Sequence, residues 1–398
     1  MTPGFLRTPA AAAVLAALPG ARAVGGAVRD HLAGRTIHDV DVAVPLPPGE
    51  VAQKLRAAGL RVFETGLAHG TLTAVKAGEP IEVTSLRRDV ATDGRHAEVE
   101  WTTDWRQDAA RRDFTINAMS MEASGALHDH FGGVEDLRAG RVRFVGDPAT
   151  RLAEDYLRAL RFFRFQARYG QGAPDAVALG AIAAAVPGLA RLSAERVWAE
   201  LKRILEAPDP CGALALMRGT GVLGAVLPEA APCDLRPLAR LVERDAPRLP
   251  LLRLAALLTR EANHVALARR LKLSGEEAER LALLLDQSAL PPADASDAQL
   301  RVWRSLVALD DPPDAAGPLW LAEARDEVSR AALRARIEGP APRFPLQGRD
   351  GLELGLAPGP ALGAALREVQ AWWRETGALA DHAACRERLR QLVARGKG

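Results

Sequence analysis

The hydrophobic pattern changes period partway along this 398-residue chain. In the first third, short runs rich in Val, Ile or Thr, bounded by Gly, Pro or charged turns, predict strands over 23–28, 39–44, 70–76, 81–86 and 99–102. A helix is predicted over 49–58, and residues 112–121 join a helical start to a further apolar segment. From residue 148 onward Leu and Ala recur at the 3.6-residue period, which predicts helices over 151–169, 175–185, 193–206 and 210–220 and more of the same to the end. Pro and Gly punctuate the helices, as at Pro208, Pro228, Pro291-Pro292 and Pro312-Pro313. No fixed-period repeat is present, which disfavours a solenoid. The pattern therefore predicts an α+β protein: a head with one small mixed β-sheet over residues 1–145, then an all-α remainder.

Length supports that division, because 398 residues exceed the usual size of one domain. With 48% hydrophobic and 26% charged residues, the chain can bury sizeable cores, and disorder or a membrane bundle is a poor reading. Near the start, Arg7, an apolar run from Ala10 to Leu18 and Ala21-Arg22-Ala23 imitate a signal peptide. A single Arg, an Ala-dominated run and a cleavage point directly before a paired-glycine motif argue instead for a short amphipathic helix. No other uncharged apolar stretch approaches a membrane span. Three widely spaced cysteines, Cys211, Cys233 and Cys385, offer neither a disulfide framework nor a metal spacing, which suits a reducing cytoplasm. The formal charge is only +2, yet 47 of the 52 cations are Arg. That bias has two readings: a GC-rich coding preference, or use of the planar guanidinium on phosphates and bases.

Three stretches carry candidate chemistry. In Val24-Gly25-Gly26-Ala27-Val28-Arg29-Asp30, paired glycines let a backbone approach phosphate oxygens and Arg29 offers a fork for them. Asp39-Val40-Asp41-Val42 follows, and two carboxylates flanking one strand residue project to the same face, a geometry suited to a divalent cation such as Mg²⁺. Ile81-Glu82-Val83 supplies a third acid, either reaching the same cations or simply facing solvent from its strand. In Arg111-Arg112-Asp113-Phe114-Thr115-Ile116-Asn117, a helix start would present Arg112 to a phosphate or ribose. In Glu154-Asp155-Tyr156-Leu157-Arg158, extended by Arg161, Arg164 and Arg168, Asp155 and Arg158 are spaced to share a helix face. Such an acceptor beside a donor can read a base edge, although a stripe of this kind is more often a solvated face.

Taken in order, these stretches resemble the class II nucleotidyltransferases of the DNA polymerase β superfamily, specifically CCA-adding tRNA nucleotidyltransferases and their bacterial poly(A) polymerase relatives. GGAVRD with DVD resembles the family's metal and triphosphate motif, RRDFTINAMS its ribose-contacting motif, and EDYLRALRFFR its nucleotide-selecting motif. The segment from Arg191 to Leu201 is similar to the neck-helix start, and 346–363 to the tail segment. The resemblance implies a catalytic head (1–145), a helical neck (146–210), a helical body (211–345) and an RNA-binding tail (346–398). Asp39 and Asp41 would hold two Mg²⁺ ions, and Glu82 would be a candidate helper. Gly25, Gly26 and Arg29 would bind the triphosphate of ATP or CTP, and Arg112 the ribose or phosphates. Asp155 and Arg158 would select the base, with Arg161 and Arg164 in support.

Adenine and cytosine each place an N–H where Asp155 accepts and a ring nitrogen where Arg158 donates, while uracil and guanine reverse the pattern. The partner implied is the acceptor end of tRNA. Glu64-Thr65-Gly66-Leu67-Ala68-His69-Gly70 resembles the CCA-adding version, without the basic segment of the poly(A) relatives. Thr259-Arg260-Glu261 stands where a phosphohydrolase His-Asp would follow, which predicts no hydrolase activity and a surface His264. The acidic run before RRD is thin, Asp104-Trp105-Arg106-Gln107-Asp108. An A-only enzyme, a poly(A) polymerase or an inactive RNA-binding relative remain as alternatives. The last 33 residues carry seven cations against four acids and the pair Trp372-Trp373, in which one ring is expected to be core.

Overall fold

A computed structural model describes residues 2–66, 70–92, 97–230, 234–259, 262–286, 290–292, 294–307 and 312–395. Of the sequence features above, Leu67 to His69, Cys233, Arg260 and Glu261 lie outside them. The chain divides into two compact units, 1–231 and 232–398.

The first unit opens on a seven-stranded mixed sheet. Its strands are β1 (Arg22–Val24), β2 (Asp41–Val44), β3 (Arg61–Gly66), β4 (Thr71–Lys76), β5 (Glu79–Ser85), β8 (Met119–Glu122) and β9 (Leu127–Asp129). They lie in the order β3-β4-β5-β2-β1-β8-β9, and β6 (Arg87–Thr92) with β7 (Ala97–Trp101) forms a separate ribbon. The β2–β5 pair is parallel and the other neighbours are antiparallel.

Helices α1 (Pro9–Ala17), α2 (Gly26–Leu32) and α3 (Pro48–Ala57) pack on this sheet. Val14, Val28, Val42, Val44, Leu55, Leu72, Ile81 and Val83 form one core between them. Helix α1 is the signal-like segment; Thr8 caps it by accepting from the Ala11 N–H, and Ala10, Ala11, Val14 and Leu15 are buried.

The strand expected over 23–28 stops at Val24. Gly25 takes φ +65° and ψ −122°, and helix α2 begins at Gly26. The second glycine thus starts a helix rather than extending a strand. The helical start expected at Arg112 is a tight turn instead, with a single 3₁₀ turn at Thr115–Asn117 before β8. Strand β3, with charged and apolar residues mixed, and the ribbon partner β6 were not anticipated.

After α4 (Trp105–Ala110) and α5 (Gly133–Arg138), the neck begins with α6 (Pro148–Glu154) and α7 (Leu157–Tyr169). The continuous helix expected over 151–169 breaks at Asp155, whose backbone is extended (φ −155°, ψ 107°). The Asp155 carboxylate accepts the Leu157 N–H at 3.0 Å, the local side-chain bond by which Asp competes with helix. Phe114, Phe144, Phe162 and Phe165, with centroids 4.8–6.2 Å apart, fasten α7 to the head. Helices α8 (Ala176–Ala185), α9 (Ala194–Leu205), α10 (Cys211–Gly219) and α11 (Val222–Val226) complete the first unit. Helix α9 buries Val197, Trp198, Leu201, Ile204 and Leu205.

Among the described residues the second unit is helical, and its cores include the following two. One gathers Leu300, Trp303, Leu319 and Leu333; the other gathers Leu346, Val369, Trp373, Cys385 and Leu389. Trp373 is the core member of the Trp pair and donates to the Ala380 carbonyl at 3.1 Å, while Trp372 is half-buried. His264 is half-buried. Among the described residues no helix is long and apolar enough to cross a membrane.

Candidate active site

The turn at Gly25 sets the site. Strand β1 ends beside the start of β2, with Val24 opposite Asp41, and the glycine pair leads directly into α2. A β-carbon at Gly25 would meet the Arg112 Nη1 at 3.0 Å, and its φ lies where L-residues are strained. Gly25→Ala is therefore expected to cost about 2 kcal/mol, measured by thermal or urea unfolding, and to displace Arg112.

On the other side of β2, Asp41 pairs in parallel register with Glu82 of β5, so the two carboxylates share one sheet face. Asp39 lies before the strand and not on it, because β2 starts at Asp41; the alternation argument holds for Asp41 and Glu82 rather than for Asp39 and Asp41. All three acids still meet electrostatically. Asp41 opens to solvent through its exposed edge, yet crowding by protein atoms pushes its carboxyl up. The Glu82 and Asp39 charges push the same way, against a downward pull from Arg112. Among the described residues no three His, Cys, Asp or Glu side chains gather tightly enough to enclose a metal on protein ligands alone.

A cavity of about 460 Å³ runs from this edge to the neck. Its walls include Gly25, Gly26, Asp41, Arg112, Asp113, Asn117, Asp155, Arg158, Arg161, Arg164 and Arg196. Seven arginines line it (29, 111, 112, 158, 161, 164 and 196) against three aspartates (41, 113 and 155). The volume lies within the roughly 300–1,000 Å³ typical of small-molecule sites, and the cationic excess suits a polyanion.

The individual arginines are more committed than the sequence suggests. Arg29 is 9% exposed; it donates to both Asp30 oxygens at 3.0 Å and to Asn117 Oδ1 at 2.6 Å. Arg112 pairs with the buried Asp108 at 3.3 Å. Burial pushes the Asp108 carboxyl up, but the Arg111 and Arg112 charges outweigh it and hold the group low. Arg158 donates to the Arg151 carbonyl at 3.0 Å and the Arg111 carbonyl at 3.2 Å, and also pairs with Glu154. Arg161 donates to Asp113 Oδ2 at 2.7 Å, and Arg164 to the buried Glu200 at 2.9 Å. Burial lowers Arg164 to about 10, against the opposing pull of Glu200. Asp155 and Arg158 both line the cavity, but the break before α7 takes them off a common helix face. Asp155 accepts instead from Arg196 at 2.6 Å.

Arg111, Asp113, Asn117 and Arg196 line the cavity and were not singled out as site residues from the sequence. For Arg196 a signal existed: it stands four residues before Glu200 on α9, so both share one helix face toward α7.

A small mixed sheet with carboxylates at a strand start, a glycine turn beside them and an arginine-rich cavity against a helical neck define a nucleotidyltransferase head. Residues 21–143 match the poly A polymerase head domain, and residues 175–234 match the probable RNA and SrmB-binding site of polymerase A. The mitochondrial CCA tRNA nucleotidyltransferase 1 of Mus musculus is 38% identical over 361 residues, covering 89% of this chain and 83% of that protein. A CCA-adding enzyme of Geobacillus stearothermophilus is 39% identical over 211 residues, 52% of this chain and 50% of that one. The crystal structure of the Bacillus stearothermophilus CCA-adding enzyme in complex with CTP superposes with a TM-score of 0.72 at 26% identity, covering 98% and 99% of the two chains. The chain belongs to the family of class II CCA-adding tRNA nucleotidyltransferases and poly(A) polymerases.

Proposed function

We propose that this protein adds CMP, CMP and AMP from CTP and ATP to the 3′ end of tRNA without a nucleic-acid template. The observation that carries the reading is one cavity whose lining joins Asp41 and the glycine turn of the head to Asp155 and Arg158 of the neck. A nucleoside triphosphate needs both kinds of group, one set for its phosphates and one for its base.

The carboxylates fit Mg²⁺. The donors are all oxygen, and Asp41, Asp39 and Glu82 crowd their charges in a way that a bound cation relieves. Asp39 and Asp41 would hold it, with Glu82 beside them; when bound, Mg²⁺ acidifies a hydroxyl and neutralises phosphate charge. The chain's own groups do the rest. Gly25 and Gly26 bring the backbone up to the phosphates, while Arg112 and the remaining N–H groups of Arg29 and Arg161 offset their charge. Asp155 accepts from the amino group shared by cytosine and adenine, Arg158 donates to the adjacent ring nitrogen, and Arg164 supports them from the same helix.

Leu346, Val369, Trp373, Cys385 and Leu389 share one core on which Val302 and Phe344 also pack, so the tail, for which an RNA-binding role is proposed, is continuous with the helices before it. Cys211 and Cys385 carry no disulfide, which agrees with a reducing setting such as the cytoplasm.

The test supplies tRNAs lacking one, two or all three terminal nucleotides with labelled CTP or ATP and Mg²⁺. Sequential C, C and A incorporation, abolished by EDTA and restored by Mg²⁺, is expected. Use of ATP alone would point to an A-adding enzyme, long A tails to a poly(A) polymerase, and no incorporation to an inactive RNA-binding relative.

A further inference from the structure

Six side chains form a closed circuit around the cavity. Arg161 donates to Asp113 Oδ2 at 2.7 Å, and Asp113 Oδ1 accepts from Asn117 Nδ2 at 2.9 Å. Asn117 Oδ1 accepts from Arg29 Nη1 at 2.6 Å; Arg29 donates to both Asp30 oxygens at 3.0 Å, and Asp30 Oδ1 accepts from the Tyr169 hydroxyl. Arg161 and Tyr169 both belong to α7, so the circuit leaves the base-reading helix, passes under the phosphate turn and returns to the same helix eight residues later.

Asn117 is its junction. It is 7% exposed, lies between a carboxylate and a guanidinium, and can satisfy both only with its amide turned one way. Its backbone carbonyl also accepts from Arg112 Nη1 at 3.3 Å. Asn117 thus contacts both Asp113, the acceptor of Arg161, and Arg112 itself. Asp113 shows how tightly this is held. Burial pushes its carboxyl up, but the Arg161 charge and hydrogen bonds from Asn117, Arg161 and the Phe114 N–H outweigh it and keep the group ionised.

We propose that Asn117 is a positioning residue which couples the phosphate-binding arginines 29 and 112 to the base-reading helix, acting through Arg29 and Asp113 rather than on the nucleotide. The inference rests on the nucleotidyltransferase reading above and adds to it how the two ends of the nucleotide are held in register.

The test is Asn117→Asp in the full chain. Near neutral pH it sets an unprotonated carboxylate against Asp113, and KM for both CTP and ATP is expected to rise about tenfold or more, with kcat changed less. Near about pH 5.5 the two carboxylates, facing Arg29, Arg112 and Arg161, can share one proton. The added acid then accepts from Arg29 and donates to Asp113 as the amide did, so the ratio of variant to wild-type KM at the same pH is expected to fall back toward one. Asn117→Leu, of similar shape and without polar atoms, is expected to show the raised KM at every pH. Thermal melts at each pH give the folded fraction; should Asn117→Asp not fold near neutrality, Asn117→Ser carries the KM comparison. Folded variants with wild-type KM values overturn the inference, as does a rise in KM for Asn117→Asp that ignores pH. A wild-type protein that incorporates neither CMP nor AMP overturns the functional reading instead.

Discussion

Replacing Asp41 with asparagine is expected to lower kcat for CMP and AMP incorporation by roughly 10³-fold or more while the protein remains as stable as the wild type or becomes slightly more stable. Both halves follow from the same crowding. Asp41 sits at the first position of β2, in register with Glu82 and two residues from Asp39. Its carboxyl is raised by desolvation and by these two neighbours. A carboxyl raised on folding binds protons more tightly in the native state than in the unfolded one. Its ionisation therefore removes stability as pH rises from the unfolded value through the native one. The asparagine has the same shape and no charge, so it removes the repulsion together with the negative field that suits a divalent cation. A single-turnover assay with a tRNA lacking its terminal CCA, beside a thermal melt at neutral pH, reads both quantities. Activity within tenfold of wild type would remove Asp41 from the reaction. A large loss of melting temperature would mean that its charge is satisfied structurally, which contradicts the direction of its shift.

This site was legible in the sequence where its chemistry is local. The glycine pair and the Arg-rich helix each declare themselves within a dozen residues, and Gly25 does adopt a conformation that other residues resist; the acids do so only in part, since Asp39 precedes the strand and Asp41 is matched instead by Glu82 on β5. The expected mixed sheet exists, because β-branched runs between turns mark strands. What could not be read were pairings set by tertiary folding. Arg29 meets Asn117 from 88 residues away, and Asp155 meets Arg196 from 41. A periodic pattern also conceals a two-residue interruption. Leu and Ala keep helical spacing across Asp155, yet its side chain captures the Leu157 N–H and divides the helix in two. For the same reason a free-looking arginine stripe became a set of engaged side chains: Arg158 on two carbonyls and Glu154, Arg161 on Asp113, Arg164 on Glu200. The Arg excess has a partial physical explanation here. Seven guanidiniums line one cavity, each N–H fork able to hold a protein acceptor and still face a ligand.

Asp155→Asn is expected to change which bases are accepted more than it changes the fold. Asparagine can accept the Leu157 N–H as aspartate does, so the break before α7 is retained and the melting temperature should move little. The ion pair to Arg196, at 2.6 Å in the wild type, is weakened to a neutral hydrogen bond, which frees the amide to turn. An aspartate offers only acceptors to a base, whereas an amide offers a donor as well. With the oxygen presented, cytosine and adenine are still recognised but without charge assistance; with the nitrogen presented, the carbonyl oxygen of uracil gains a partner it lacked. A site built on buried hydrogen bonds rejects a mismatched partner by about 10⁴-fold or more, so losing one of its two readers is expected to narrow the preference for CTP over UTP by about 10²-fold. Catalytic efficiency with CTP and ATP is expected to fall by a similar factor. Arg158 still donates toward the ring nitrogen and still meets the N–H of uracil, which is why discrimination narrows without disappearing. Competition between CTP and UTP for a tRNA lacking its terminal CCA measures the ratio directly, and an unchanged ratio in a folded variant would show that Asp155 does not read the base.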